Sequence, residues 1–238
     1  MRRPLARNRT PPVSRKTRTA TVRQEWPPPP HRVRAILRTL DRMYPNADCE
    51  LDRKNPFQLL CATILSAQCT DERVNRVTPA LFARFPTPAA MAEAPAPVLE
   101  DMIRSTGFYR NKTKSLLGAS RMLAERWGGE VPRTMDELLQ LPGVARKTAN
   151  VVLGTAYGIA AGVVVDTHVT RVGARLGLTR EQLPEKIEQD LMGVVPRQRW
   201  IRFAHQIILH GRRLCQARKP KCDLCPLVPS CPSAFRVG

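Results

Sequence analysis

Four cysteines crowd the C-terminal end of the chain, in the order Cys215-x6-Cys222-x2-Cys225-x5-Cys231. Thiolates this close in sequence can converge on one inorganic centre, and both zinc and a [4Fe–4S] cluster accept four cysteines. Zinc modules usually carry two C-x2-C pairs set further apart. Here a single pair is flanked by longer gaps, which leans towards iron–sulfur and leaves zinc open. The chain holds seven cysteines in all, an odd number with one tight cluster, which fits a metal site in an intracellular protein better than a disulfide framework. Pro220, Pro226, Pro229 and Pro232 stiffen the loops between them. The widest gap presents Arg218, Lys219 and Lys221, which suits a phosphate contact or, more plainly, a solvated loop.

A second group lies at Leu141-Pro-Gly-Val-Ala-Arg-Lys-Thr-Ala-Asn150. Its Pro-Gly turn joins two helical stretches and exposes backbone N–H groups at a helix start, where a phosphate can dock without side-chain charge. Lys147 falls in the first turn of the second helix. The positive end of the helix dipole disfavours a charged amine there, and an amine nucleophile must be neutral. A surface lysine gripping phosphate is an equal alternative. The third group is Val163-Val-Val-Asp-Thr-His-Val169, where an apolar run delivers Asp166 to a helix start. Aspartate is a preferred N-cap. Beside a cleft the same carboxylate can also stabilise a positively charged, sugar-like transition state. His168 is expected to line the pocket rather than act as a base.

Helices must position these groups. Val33, Ile36, Leu37 and Leu40 recur at helical spacing. Asn55-Pro56, Thr70 and Thr87-Pro88 are N-terminal cap signals, and Thr134-x2-Glu137 is a capping box for a helix through Gln140. A long amphipathic stretch, Tyr109–Trp127, stops at Gly128-Gly129. Further helices are expected at Lys147–Tyr157, Thr167–Arg175, Pro184–Val194 and Arg199–Leu214, and Gly162–Val165 is the one β-branched run. The predicted class is all-α. No apolar run is long enough to span a membrane.

Lys plus Arg number 39 against 20 acids, a net charge of +19, which favours a polyanionic partner, nucleic acid by default. Residues 1–30 carry eight basic residues, one acid and a Pro27–Pro30 run, and read as a disordered basic tail. Its prolines argue against the amphipathic helix of a mitochondrial transit peptide.

Taken together, LPGVARKTANVVLGTAYG, VDTHVTRV, ILSAQCTD, ILHGR and the C-x6-C-x2-C-x5-C spacing resemble the endonuclease III family of helix-hairpin-helix DNA glycosylases, from about His31 to Cys231. The resemblance implies two helical lobes with a DNA-binding cleft between them. Residues 50–160 would form a six-helix lobe with the hairpin, and 31–49 plus 161–231 a lobe holding a [4Fe–4S] cluster on Cys215, Cys222, Cys225 and Cys231. It further implies that Lys147 is the catalytic lysine and Asp166 the catalytic aspartate. Gln68 would fill the gap left by a flipped nucleotide, Phe108 would be an apolar wedge in the base stack, and Asp71 would line the cleft with His168. Leu141, Gly143, Ala145, Arg146 and Thr148 of the hairpin, with Arg218, Lys219 and Lys221, would contact DNA. The implied partner is double-stranded DNA containing damaged pyrimidines or abasic sites, bound by a monomer in a bacterial cytoplasm. The implied reaction is glycosylase and abasic-site lyase chemistry on substrates such as thymine glycol.

One position departs from the family pattern, which has glycine where this chain has Ala145. A positive φ there would make alanine costly, whereas a negative φ would make the change nearly silent. Two rivals stand beside the family reading. One is a non-catalytic iron–sulfur DNA-binding protein. The other is a related glycosylase of other lesion specificity; the adenine-removing mismatch branch is expected to lack a lysine at 147. For the cofactor, purified protein is expected to be brown and to absorb near roughly 400 nm; stoichiometric zinc without iron would overturn the cluster.

Overall fold

The computed structural model describes residues 26–237. Among them there are helices and no strands. The chain runs through α1 (Pro30–Met43), α2 (Pro56–Leu65), α3 (Asp71–Arg84), α4 (Pro88–Ala92), α5 (Ala96–Ile103), α6 (Tyr109–Trp127), α7 (Met135–Leu138), α8 (Arg146–Tyr157), α9 (Thr167–Arg175), α10 (Pro184–Val194) and α11 (Trp200–Arg213). Short 3-10 turns lie at Arg104–Thr106, Arg197–Arg199, Cys222–Leu224 and Val228–Ser230.

The cap signals act as their chemistry dictates. The side chains of Asn55, Thr70, Thr87, Thr134 and Asp166 each accept a backbone N–H three residues on, opening α2, α3, α4, α7 and α9. Each such cap is worth about 1 kcal/mol. Gly128, at φ 57°, closes α6, and the Gly129 N–H returns to the Leu123 carbonyl.

The helix α2 is apolar almost all round: Phe57 and every residue from Leu59 to Leu65 are buried. A helix with no polar face belongs in a core, and α2 packs against α3, α6 and α8. The principal helix contacts fall into two sets. In one, α2 to α8 pack among themselves; in the other, α11 packs on α1 and α9, α9 on α10, and α1 meets the Val228–Ser230 turn. The β-branched run 163–165 is buried as extended chain and leads into Asp166 without becoming a strand.

Several expectations need correction. The helix α5 is not among the expected helices; Pro95 and Pro97 occupy its N-terminal positions, where proline is tolerated. The segment 56–157 holds the helices α2 to α8, of which α4 and α7 are single short turns. The capping box is one-sided: the Thr134 hydroxyl donates to the Glu137 carboxylate at 2.6 Å, and α7 ends at Leu138 instead of Gln140. The predicted tail lies outside the described residues up to 25. From there the chain already packs on the fold, with Trp26 under the Arg180 guanidinium at 5.7 Å, Pro28 buried and Pro30 opening α1.

The hairpin between α7 and α8 settles the Ala145 question. Ala145 has φ −95° and ψ 170°, extended backbone that any residue adopts. The position that demands glycine is Gly143, at φ 79°, where an added Cβ would stand 2.6 Å from the Ser115 Cβ. Gly143→Ala is expected to cost about 1–3 kcal/mol in denaturant unfolding, and Ala145→Gly less than about 1 kcal/mol; equal costs would contradict this assignment of the turn.

Candidate active site and cysteine cage

A cleft of about 1580 Å³ is lined by Gln68, Asp71, Lys147, Asp166 and His168, together with Arg212. Gln68 follows the C-terminus of α2, Asp71 opens α3, Lys147 is in the first turn of α8, and Asp166 and His168 begin α9. Residues up to 100 positions apart thus meet where four helix ends converge.

Asp166 does the work of a cap with one oxygen. Its Oδ1 accepts the Val169 N–H at 2.7 Å, and among the described residues the carboxylate accepts no other hydrogen bond, so Oδ2 is free for a substrate. His168 is held by its neighbours. Its Nδ1 lies 3.1 Å from Arg171 Nη2. Burial, with the cations Arg171 and Arg212 adding to it, pushes the imidazole below its usual range despite the nearby Asp166.

The floor of the cleft carries a residue that its sequence motif offered without a role. Arg212 donates to Asp71 Oδ2 at 2.8 Å and pairs with Glu50. It joins α11 to the start of α3, and so one set of helices to the other. ILHGR contained the signal, but only proximity to Asp71, 141 positions away, reveals the partner.

The hairpin residues divide. Leu141 is buried at 2% exposure, so its side chain belongs to the core. The N–H groups of Gly143 and Ala145 donate to no acceptor among the described residues, and Ala145 caps α8 without a side chain. This leaves a cluster of amides facing outward, the arrangement that binds an anion. Thr148, beside Lys147 in the first turn of α8, is half-buried. Arg146 is committed elsewhere: its Nε reaches Glu188 Oε2 at 2.6 Å and its Nη2 reaches Oε1 at 3.2 Å. Asn150 adds a bond to the same buried carboxylate at 2.8 Å, so α8 is fastened to α10.

Phe108 lies away from the cleft lining and is 64% exposed, an unusual state for a large apolar side chain. Gln68 and Phe108 have φ of 53° and 48°. Left-handed backbone at non-glycine residues is strained and gathers at functional sites. Among the described residues Phe235 is the one other non-glycine residue in this region, so backbone geometry narrows the field to three.

The four cysteines are free thiols lining one cavity with Leu227 and Val172. Arginines bind the loops around it. Arg175 donates to Cys215 Sγ at 3.4 Å and to the carbonyls of Gln216 and Ala217, Arg171 donates to the Cys215 carbonyl, and Arg32 reaches the Ser230 carbonyl. Burial pushes the Cys225 and Cys231 thiols up, against backbone hydrogen bonds from Leu227 and Val228 to the first and Ser233 to the second. Cys215, Cys222, Cys225 and Cys231 thus line one shared cavity, a donor set of the kind that holds an inorganic centre. Arg218, Lys219 and Lys221 are exposed on the same loop.

The profile described as HhH-GPD superfamily base excision DNA repair protein matches residues 61–197. The chain belongs to the endonuclease III family. It is 57% identical to endonuclease III of Synechocystis sp. over 203 residues, 85% of this chain and 93% of that relative. A solved non-covalent endonuclease III–DNA complex is 44% identical, with a TM-score of 0.83 over 87% of this chain and 97% of that one. A trapped endonuclease III–DNA covalent intermediate matches at the same identity and TM-score, over 87% and 98%. The family's reaction, base excision by a DNA glycosylase and AP lyase, is therefore this chain's reaction. No helix among the described residues is long and apolar enough to cross a membrane.

The Arg146–Glu188 pair separates this endonuclease III hairpin from a simple patch of cations. Arg146→Ala is expected to lower the unfolding midpoint while leaving the salt dependence of DNA binding unchanged. A fall in slope of about 0.9, one phosphate's worth, would return Arg146 to the DNA interface.

Proposed function

We propose that this glycosylase and AP lyase removes oxidised or ring-saturated pyrimidines such as thymine glycol from double-stranded DNA, with Lys147 as nucleophile and Asp166 as its electrostatic partner. The observation that carries this is the meeting of Lys147 and the half-free carboxylate of Asp166 in one cleft, beside Gln68 and Asp71. The duplex kinks and the damaged nucleotide turns outward, at a cost of a few kcal/mol that is least at a lesion. The Lys147 amine attacks the sugar C1′ as the base departs, and Asp166 stabilises the positive charge that develops on the sugar. The resulting Schiff base permits β-elimination, which cuts the strand 3′ to the abasic sugar. The trapped covalent complex formed by the structural relative supports an enzyme-linked intermediate.

Cys215, Cys222, Cys225 and Cys231 would hold a [4Fe–4S] cluster, which would staple the C-terminal loop in place. Arg218, Lys219 and Lys221 on that loop, with the free amides of Gly143 and Ala145, would grip phosphates on either side of the lesion. The enzyme would act as a monomer in the cytoplasm.

Borohydride reduction on DNA containing thymine glycol tests the assignment. Wild type is expected to form a covalent adduct and Lys147→Gln none. Asp166→Asn is expected to keep binding while losing turnover by about 10²-fold or more. Absence of an adduct with wild type would favour a non-catalytic DNA-binding protein.

A further inference from the structure

Lys112, on α6, is 5% exposed, a rare state for a lysine. No carboxylate pairs with it among the described residues. Its Nζ donates instead to two backbone carbonyls, Leu65 and Thr106, each at 2.8 Å. Leu65 ends α2, three residues before Gln68; Thr106 is two residues before Phe108. The Lys112 backbone N–H also donates to the Phe108 carbonyl at 3.1 Å. One residue therefore grips the wedge loop on both sides of Gly107 and ties it to the loop that carries Gln68.

Those two loops share a second property. Among the described residues, left-handed non-glycine backbone occurs at Gln68, Phe108 and Phe235 alone. The first two are the side chains expected to enter the base stack. A strained loop keeps its shape only when its surroundings over-determine it. A buried ammonium supplies such a restraint, because its charge can be satisfied only if both carbonyls stay in place. The C-terminal end of α2 adds favourable dipole to the same charge. Burial lowers the lysine's proton affinity, with Cys69 nearby opposing the shift.

We propose that Lys112 is a positioning residue that couples the Gln68 and Phe108 loops, so that gap-filling and wedging occur as one movement during nucleotide extrusion. This rests on the roles proposed for Gln68, Phe108 and Lys147 above. Lys112 touches neither the sugar nor the base, so its effect belongs to opening the duplex and not to the chemistry.

The test compares two substrates and two readouts. Borohydride trapping is measured on an abasic site in duplex DNA and on the same site in a single strand, where no stack must be opened. A 2-aminopurine beside the site reports unstacking. Wild type is expected to trap duplex faster than single strand. Lys112→Met, which leaves both carbonyls without a donor, is expected to lose about tenfold on duplex, the equivalent of one charge-assisted hydrogen bond. It should also lose the 2-aminopurine rise, and keep the single-strand rate. Lys112→Gln, whose shorter amide can hold one carbonyl but not both, should move in the same direction with less risk to folding. Equal losses on both substrates, or an unchanged 2-aminopurine rise in a folded variant, would overturn the coupling. Failure of wild type to trap either substrate would instead overturn the role of Lys147.

Discussion

The site depends on the close approach of α9 and α11. Gly211 allows it: a Cβ there would lie 2.8 Å from His168 Nδ1. Through that gap Arg171 reaches His168, the Gly211 carbonyl and the Cys215 carbonyl. The N-terminus of α9 offers Asp166 to the cleft, while Arg175 at its C-terminus holds the cysteine loop. A helix of nine residues, about 14 Å long, thus fixes the Asp166 end of the cleft and the cysteine loop relative to each other. Displacing either end moves both.

The helix starts in this protein differ in how they are closed. Asn55, Thr70, Thr87 and Thr134 close the first turns of α2, α3, α4 and α7, whereas α1, α5, α10 and α11 begin without a side-chain cap. Asp166 spends one oxygen on its cap and keeps one. The helix α8 has Ala145 at its cap and no side-chain partner, so its amides are left for an anion.

Much of this was legible in the residues. The cap signals, the long α6 and the all-helical class follow from local chemistry, which a sequence displays directly. The cysteine spacing and Lys147 were visible too, though their chemistry stayed open until family motifs were joined to them. What escaped was non-local. Nothing near Arg146 announces Glu188, 42 positions on, and nothing near Arg212 announces Asp71. The helix α5 was hidden because proline carries opposite meanings at a helix start and in a helix interior. Leu141 reads as part of a DNA-facing motif, yet its side chain is a core residue whose neighbours' backbones are the exposed groups.

The ion pairs Arg146–Glu188 and Arg212–Asp71 both run between the two sets of helices, the second of them in the lining of the cleft. Two struts across an opening make it stiff, and a stiff opening keeps its width when a ligand arrives. The work of deformation then falls on the DNA. A sound duplex resists bending through its stacking, while one softened by a damaged or missing base yields at lower cost. Discrimination would begin as a mechanical measurement of the duplex, made before any group in the cleft touches the damaged base.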